Sequence, residues 1–395
     1  MRAMKAAARL AVVVACVVLA VIVASCGAPP AQQSAASKFL ARYLRPDGRV
    51  VRLDQGRDTV SEGQAYGMLL AEVAGDNGAF RRIWLWTHRH LQHRDGLFSF
   101  HTNPAGKVTG RGPASDADLL IAWALLRYTG PEAPVWHRAG RRVARAILAH
   151  EVASGPGGLV VLTAGPWATS PAGSTLDPSY WSLPAMEGLA QLTGSNVWHR
   201  LAVNAVTLTG QLSQNGRLLP PNWAELSPGG AVHPEAAPNG SEAAAEYGQD
   251  AARTVIWFAA SCDPRARALA ARWWPILQSR TRSRALALGL NGTVRTATPA
   301  PLSLVASAAA ATSAGDDAAS SRLLRQAIAQ QRSYPTYYGG AWAALGLALL
   351  TPGGALDVCH PCPGLAAPPV IGHSSAASTW RRCLLIAGRA SRSSR

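Results

Sequence analysis

Three acidic clusters, each opening an apolar run, hold the groups in this sequence best suited to moving protons. The first is Ser61-Glu62-Gly63-Gln64-Ala65-Tyr66-Gly67-Met68, which continues into Leu69-Leu70-Ala71. It reads as a helix start, with Ser61 as N-cap accepting from a first-turn N–H. Glu62 then sits where the helix dipole favours negative charge, and the flanking glycines let backbone or ligand approach closely. The second cluster is Ala114-Ser115-Asp116-Ala117-Asp118-Leu119, again with a Ser or Asp as the expected cap. Asp116 and Asp118 are two apart, so on a helix they point in different directions; one can face a cleft while the other caps or braces. The third is Glu246-Tyr247-Gly248-Gln249-Asp250-Ala251-Ala252-Arg253. Asp250 and Arg253, three apart, share a helix face, where the guanidinium can hold the carboxylate ionised and oriented. Any one cluster alone reads equally well as ordinary capping. Three of them at the same end of helices argue for a site.

Aromatic residues accompany the acids. Thirteen tryptophans is a high count, and several sit in polar, Pro-flanked segments: Trp167, Tyr180-Trp181 after Asp177-Pro178, and Trp223 after Pro221-Asn222. Tyr334, Tyr337 and Tyr338 surround Pro335. Such rings suit either stacking on sugar faces or core packing. Trp84, Trp123, Trp257 and Trp342 lie inside helical runs and read as packing.

The elements that must position these groups are helices. Apolar residues recur at three- and four-residue spacing near 36–44, 62–74, 78–92, 115–129, 135–151, 182–193, 197–213, 242–260, 264–278, 302–313, 317–332 and 336–350. Short strands are expected only at 50–53, 97–100 and 158–162. Strand and helix do not alternate, which argues against a parallel-sheet enzyme. The pattern predicts one all-α domain, such as a ring of helical hairpins, over 36–352, followed by a poorly ordered Pro-, Gly-, Ser- and Arg-rich tail at 353–395.

Composition narrows the class. The chain has 395 residues, 48% hydrophobic and 15% charged, with a formal net charge of +16, enough for a large core. The positive residues are almost all Arg and lie scattered between apolar residues, as solvated helix faces do. No nucleic-acid reader motif accompanies them, so no nucleic-acid partner is expected. Residues 1–26 form a targeting segment: Arg2 and Lys5, an apolar run from Leu10 to Val23, then Val23-Ala24-Ser25-Cys26-Gly27. This ending resembles a bacterial lipoprotein signal, with Cys26 lipidated and anchoring the protein to the cell envelope; a plain secretory signal or an uncleaved anchor is the alternative. Residues 27–35 suit a flexible tether. An exported location permits disulfides among Cys262, Cys359, Cys362 and Cys383, with connectivity unreadable from sequence. The lone Cys359-His360-Pro361-Cys362 is a poor zinc motif, and neither metal nor cofactor is expected.

These residues together resemble glycoside hydrolase family 8, which includes endo-β-1,4-glucanases, chitosanases and the cellulase that accompanies bacterial cellulose synthesis. Ser61 to Met68 looks like the family's general-acid motif and Ser115 to Leu119 like its acidic helix start. Asp177-Pro178-Ser179-Tyr180-Trp181 and Pro221-Asn222-Trp223 resemble two cleft loops. Tyr247 to Arg253 looks like the base-bearing helix, and Tyr337-Tyr338 precedes a final helix. The resemblance spans about 36–352. Pro-Asn-Trp stands where Pro-Asp-Trp is commoner, and Phe98 and Phe100 follow Asp95-Gly96 where relatives carry a Trp.

The resemblance implies an all-α (α/α)6 barrel with an open cleft and an inverting hydrolase. Glu62 would be the general acid and Asp250 the general base, with Glu246 a rival base. Asp116 would bind the distorted sugar, Arg253 would orient Asp250, and Tyr66, Phe100, Trp181 and Tyr338 would line subsites. The expected substrate is a β-1,4-linked glucan, with xylan and chitosan left open, acted on by a monomer. The competing readings are a non-catalytic glycan-binding lipoprotein on a degenerate barrel and a lyase.

Overall fold

The computed structural model describes residues 30–351 and 353–359. Twelve α-helices account for most of them: α1 Pro30–Tyr43, α2 Ser61–Ala74, α3 Asn77–His90, α4 Ser115–Arg127, α5 Ala133–His150, α6 Leu183–Thr193, α7 Asn196–Leu212, α8 Gln249–Ala259, α9 Pro264–Leu277, α10 Pro301–Ser313, α11 Asp317–Ser333 and α12 Tyr337–Leu350. They form two concentric rings. The inner ring closes through α2 against α4, α4 against α6, α6 against α8, α8 against α10, α10 against α12, and α12 back onto α2. The remaining six helices each lie outside a neighbouring inner helix. This is an (α/α)6 barrel.

Residue type explains which helices go inside. In α4, twelve of thirteen residues are buried, Ser115 to Leu126; α10 and α12 are likewise buried almost throughout. Outer helices carry one apolar stripe. In α5 only Trp136, Gly140, Val143, Ala144, Ala146 and Ile147 are buried, and its arginines face water. Small residues, Ala and Ser in α10 and Ala and Gly in α12, let the inner helices pack closely: a Cβ on Gly346 of α12 would lie within van der Waals radii of Val305 of α10.

Strands are short and connect the helices. β1 (Thr59–Val60), β2 (His101–Thr102) and β3 (Val108–Gly110) make one antiparallel sheet. β4 (Val152–Ser154) pairs with β5 (Val160–Leu162). β6 (Thr169–Ser170), β7 (Gly173–Leu176), β8 (Trp223–Leu226) and β9 (Val232–Glu235) form a four-stranded antiparallel sheet, and β10 (Ala285–Leu288) pairs with β11 (Val294–Pro299). The strands expected at 50–53 and 97–100 reduce to isolated bridges, Leu44 with Val50 and Gln92 with Phe98.

Several expectations change. The helix expected over 242–260 begins at Gln249; the preceding residues form the loop that delivers Tyr247 to Leu288. Ser61 and Ser115 do not cap their helices. Val60 and Ala114 occupy the N-cap positions without side-chain bonds, while Ser115 Oγ donates to Thr163 O. The packed chain also starts earlier and ends later than expected. α1 begins at Pro30, inside the expected tether, and Gln32 is buried. Past 352, Leu356 is buried and Cys359 is bonded to Cys262. No helix among the described residues is long and apolar enough to cross a membrane. The targeting segment 1–26, Cys26, Cys362 and Cys383 lie outside the described residues.

Candidate active site

The inner helices α2, α4, α8 and α12 start at one end of the barrel, and their first turns carry Glu62, Asp116, Asp250 and Tyr337-Tyr338. The short turn Pro178–Tyr180 precedes α6 at the same end. Groups as far apart in sequence as Glu62 and Asp250 meet here because alternate helices of a double ring share a direction.

Arg253 is the centre. It is 2% exposed and fans its donors across four elements. Nη1 donates to Glu62 Oε2 at 2.9 Å, Asp116 Oδ2 at 2.8 Å and Tyr66 Oη at 3.2 Å. Nη2 donates to Asp250 Oδ1 at 3.0 Å and Ser179 Oγ at 2.6 Å. Its plane also lies over the Tyr180 ring, 5.3 Å from the centroid. Ser179 Oγ passes on a bond to Asp177 Oδ1 at 2.6 Å. Because Glu62 and Asp250 bond to one planar guanidinium, Glu62 Oε2 and Asp250 Oδ1 are at most about 8 Å apart.

Electrostatics follow from the charge count. Three carboxylates contact one cation in a largely dry site. Full ionisation would leave uncompensated negative charge there, which favours the protonated form of the acids. Burial pushes Glu62 up to about 8; Arg253 opposes this, and the charges of Asp116 and Asp250 add to it. Burial also raises Asp116, again against Arg253. Asp177 is raised well above the carboxylate range by burial and by Asp250. Arg253 stays charged: burial disfavours the cation, and the surrounding tyrosines and acids outweigh it. Solvent reaches the acids unequally. The side chain of Asp250 is 39% exposed, that of Glu62 21% and that of Asp116 6%.

Other residues singled out in the sequence take different places. Asp118 turns away from Arg253, accepts from Phe98 N at 3.1 Å and pairs with the buried Glu151. Tyr66 is fully buried, between Tyr338 and the edge of Trp342. Phe100 is 43% exposed and its carbonyl accepts from Ser61 N. Trp181 is not at the surface: it has no exposed area and its Nε1 donates to Leu162 O at 2.8 Å. Its neighbour Tyr180 takes the place beside Arg253 instead, because consecutive residues of the tight turn face opposite ways. Glu246 pairs with Arg295 at 3.3 Å rather than with Arg253. Tyr337 is buried, with Oη lacking a hydrogen-bond partner and lying where a Cβ on Gly63 would be 2.5 Å away.

The comparisons with known proteins agree with the family resemblance and the barrel fold. The profile of glycosyl hydrolases family 8 matches residues 6–351. The chain belongs to that family. Among solved family 8 relatives, the endo-β-1,4-glucanase CMCax from Acetobacter xylinum superposes with a TM-score of 0.66 at 27% identity, covering 81% of this chain and 97% of that one. An endoglucanase of Cellulomonas uda is 31% identical over 206 residues, covering 51% of this chain and 57% of the relative. A probable endoglucanase of Novacetimonas hansenii is 33% identical over 221 residues, covering 51% and 60%. The chain thus spans less than two thirds of the length of these curated relatives.

Three residues of the site are not singled out by the family 8 motifs. The motif at 177–181 points to its Trp, whereas its Ser179 and Tyr180 meet Arg253. Asp177 of the same loop supports them: an acid two residues before a buried serine is a ready partner for its N–H and hydroxyl, and Ser179 N does donate to Asp177 Oδ1, at 2.8 Å.

Proposed function

We propose that this family 8 protein is an inverting endo-glycosidase acting on a β-1,4-linked glucan. Glu62 is the general acid and Asp250 the general base. The observation that carries the reading is the unequal treatment of two acids on one guanidinium. Glu62 is desolvated and pushed up to about 8, so it holds a proton near neutral pH. Asp250 sits on Nη2 of the same arginine and is the more open to water. Arg253 limits the separation to at most about 8 Å, a limit that admits the roughly 6.5–9.5 Å in which an inverting pair holds a water. Glu62 protonates the glycosidic oxygen as the bond breaks, and Asp250 takes a proton from the water attacking the opposite face. Asp116, held by Arg253, is placed to hydrogen-bond the reacting sugar. Tyr338 and Phe100 offer ring faces for neighbouring units. The glucan preference rests on relatives named endoglucanases.

Glu62→Gln tests the reading. It removes the proton donor while keeping the shape and an acceptor for Arg253. Hydrolysis of carboxymethylcellulose should vanish while the thermal melt stays cooperative; full activity in the variant overturns the proposal. Fresh product should have the inverted anomeric configuration by NMR. We also propose that the protein is exported as a monomer and anchored through a lipid on Cys26. Cys26→Ser should then move it from the membrane fraction to the soluble one.

A further inference from the structure

The start of the helix bearing Asp250 is not capped by its own neighbourhood. Gly248, at the N-cap of α8, has no side chain to offer. The free N–H groups of Gly248 and Ala251 both donate to Asn222 Oδ1, each at 2.9 Å, from a loop 26 and 29 residues earlier. Asn222 is 4% exposed. Its other amide atom is used as well: Nδ2 donates to Glu242 Oε1 at 2.6 Å, and the Asn222 backbone N–H donates to Glu246 O at 2.8 Å. These partners fix which amide atom is oxygen and which nitrogen. A Cβ on Gly248 would lie 2.6 Å from Asn222 Nδ2, so the glycine is what admits the asparagine.

We propose that Asn222 and Glu242 are positioning residues for Asp250: the asparagine fixes the helix start from which the base projects, and the glutamate fixes the asparagine. The proposal rests on the reading of Asp250 as general base.

The chemistry calls for an amide. One side chain must accept from two helix N–H groups and donate to a carboxylate, which neither Asp nor Ala can do. An Asp at 222 would cap the helix but face Glu242 acceptor to acceptor. Glu242 belongs electrically to the same site. Burial raises its carboxyl, Asn222 opposes this, and the charges of Glu246 and Asp250 push it further. Its Oε2 is buried without a hydrogen-bond partner. Besides Glu242, the groups coupled to Asp250 are Arg253 on its own helix, Glu62, Asp116, Asp177, Tyr180 and Tyr338. None of these is altered chemically by a change at 222 or 242, so a charge-dependent shift in the base's behaviour reports on this brace.

The test compares the wild type with Asn222→Ala, Asn222→Asp and Glu242→Gln, measuring kcat and KM on carboxymethylcellulose across pH, with a thermal melt of each. Asn222→Ala should lower kcat about 10- to 100-fold through misplacement of the base, with KM within about twofold of wild type. Asn222→Asp keeps both helix bonds and adds a charge, so the acidic limb of kcat should move to higher pH. Glu242→Gln keeps Oε1 as acceptor and removes a carboxyl that burial keeps protonated where the base ionises, so that limb should stay at its wild-type position. A displacement in Asn222→Asp alone is expected, and a role in folding alone would not produce it. An unmoved limb in Asn222→Asp, or losses that only track melting temperature, overturn the assignment while leaving the hydrolase reading intact. A wild type without turnover overturns both.

Discussion

Glu62 and Asp250 are tied to the two terminal nitrogens of the same buried guanidinium, Glu62 Oε2 at 2.9 Å from Arg253 Nη1 and Asp250 Oδ1 at 3.0 Å from Nη2. The acid and the base of the proposed reaction therefore share one positional reference. Arg253→Met removes it. Loss of orientation and of a buried charge at the reacting centre should cost about 100- to 1,000-fold in kcat. Breaking a buried ion cluster from one side should also cost about 3–5 kcal/mol of stability, read from urea unfolding. Arg253 is the group that most opposes the raised Glu62 carboxyl, so the activity that remains should persist to higher pH than in the wild type.

The raised carboxyl of Glu62 makes a separate prediction for stability. Its folded-state value of about 8 lies above its ordinary value of 4.5. Between these, the folded chain holds a proton that the unfolded chain has released. Stability from this group is therefore full below about pH 4.5 and is lost as pH rises through about 8. Glu62→Gln does not titrate. Its melting temperature relative to wild type should climb between pH 5 and pH 8 and then level off. Glu151, also pushed up by burial to about 8, is present in both proteins and cancels in the difference. A flat difference across that range would show that Glu62 is not held protonated by the fold.

Much of this arrangement was legible in the sequence, and the reason is periodicity. The twelve helices follow from apolar spacing, because each buries at least one face against a neighbouring ring. What spacing cannot carry is contact at long range. Nothing local to Arg253 says that its Nη1 reaches Glu62, 191 residues away. Nor does anything local to Asn222 say that it caps α8. The four-stranded sheet β6–β9 was invisible because its strands are two to four residues long, too short for alternation to register. Tyr180 and Trp181 show the same limit at finer scale: both suit a sugar, and only the turn decides which ring faces Arg253 and which enters the core.

Gly63 offers a test in which helix propensity and packing disagree. In an open helix, Gly→Ala stabilises by about 0.5–1 kcal/mol. At Gly63 the added Cβ would meet Tyr337 Oη at 2.5 Å, on a ring that is 1% exposed and packed against Phe39 and Tyr43. Gly63→Ala should therefore destabilise by about 1–3 kcal/mol through overpacking. It should also lower kcat, because Gly63 adjoins Glu62 in the first turn of α2. A variant more stable than wild type with unchanged kcat would show that Tyr337 yields freely.

The disulfide Cys262–Cys359 joins residues 97 apart and lies at the other end of the barrel from Arg253. Cys262 follows the C-terminal end of α8, and Cys359 ends a segment held by further hydrogen bonds. In that segment Ala355 O accepts from Arg127 Nη2 at 2.6 Å, and Ala355 N donates to Gln32 Oε1 at 3.2 Å. The bridge thus clamps the chain after α12 across the last turn of α4 and the first of α1. A loop of that length restricts the unfolded chain strongly, and its opening should cost about 2–5 kcal/mol. The Cys262→Ser, Cys359→Ser double variant should show that loss in denaturant unfolding, with kcat at 25 °C unchanged because none of the groups on Arg253 moves. Reduction of the wild type should give the same lowered midpoint. A fall in kcat at temperatures where the variant stays folded would mean that the clamp at one end of the inner helices sets the geometry at the other.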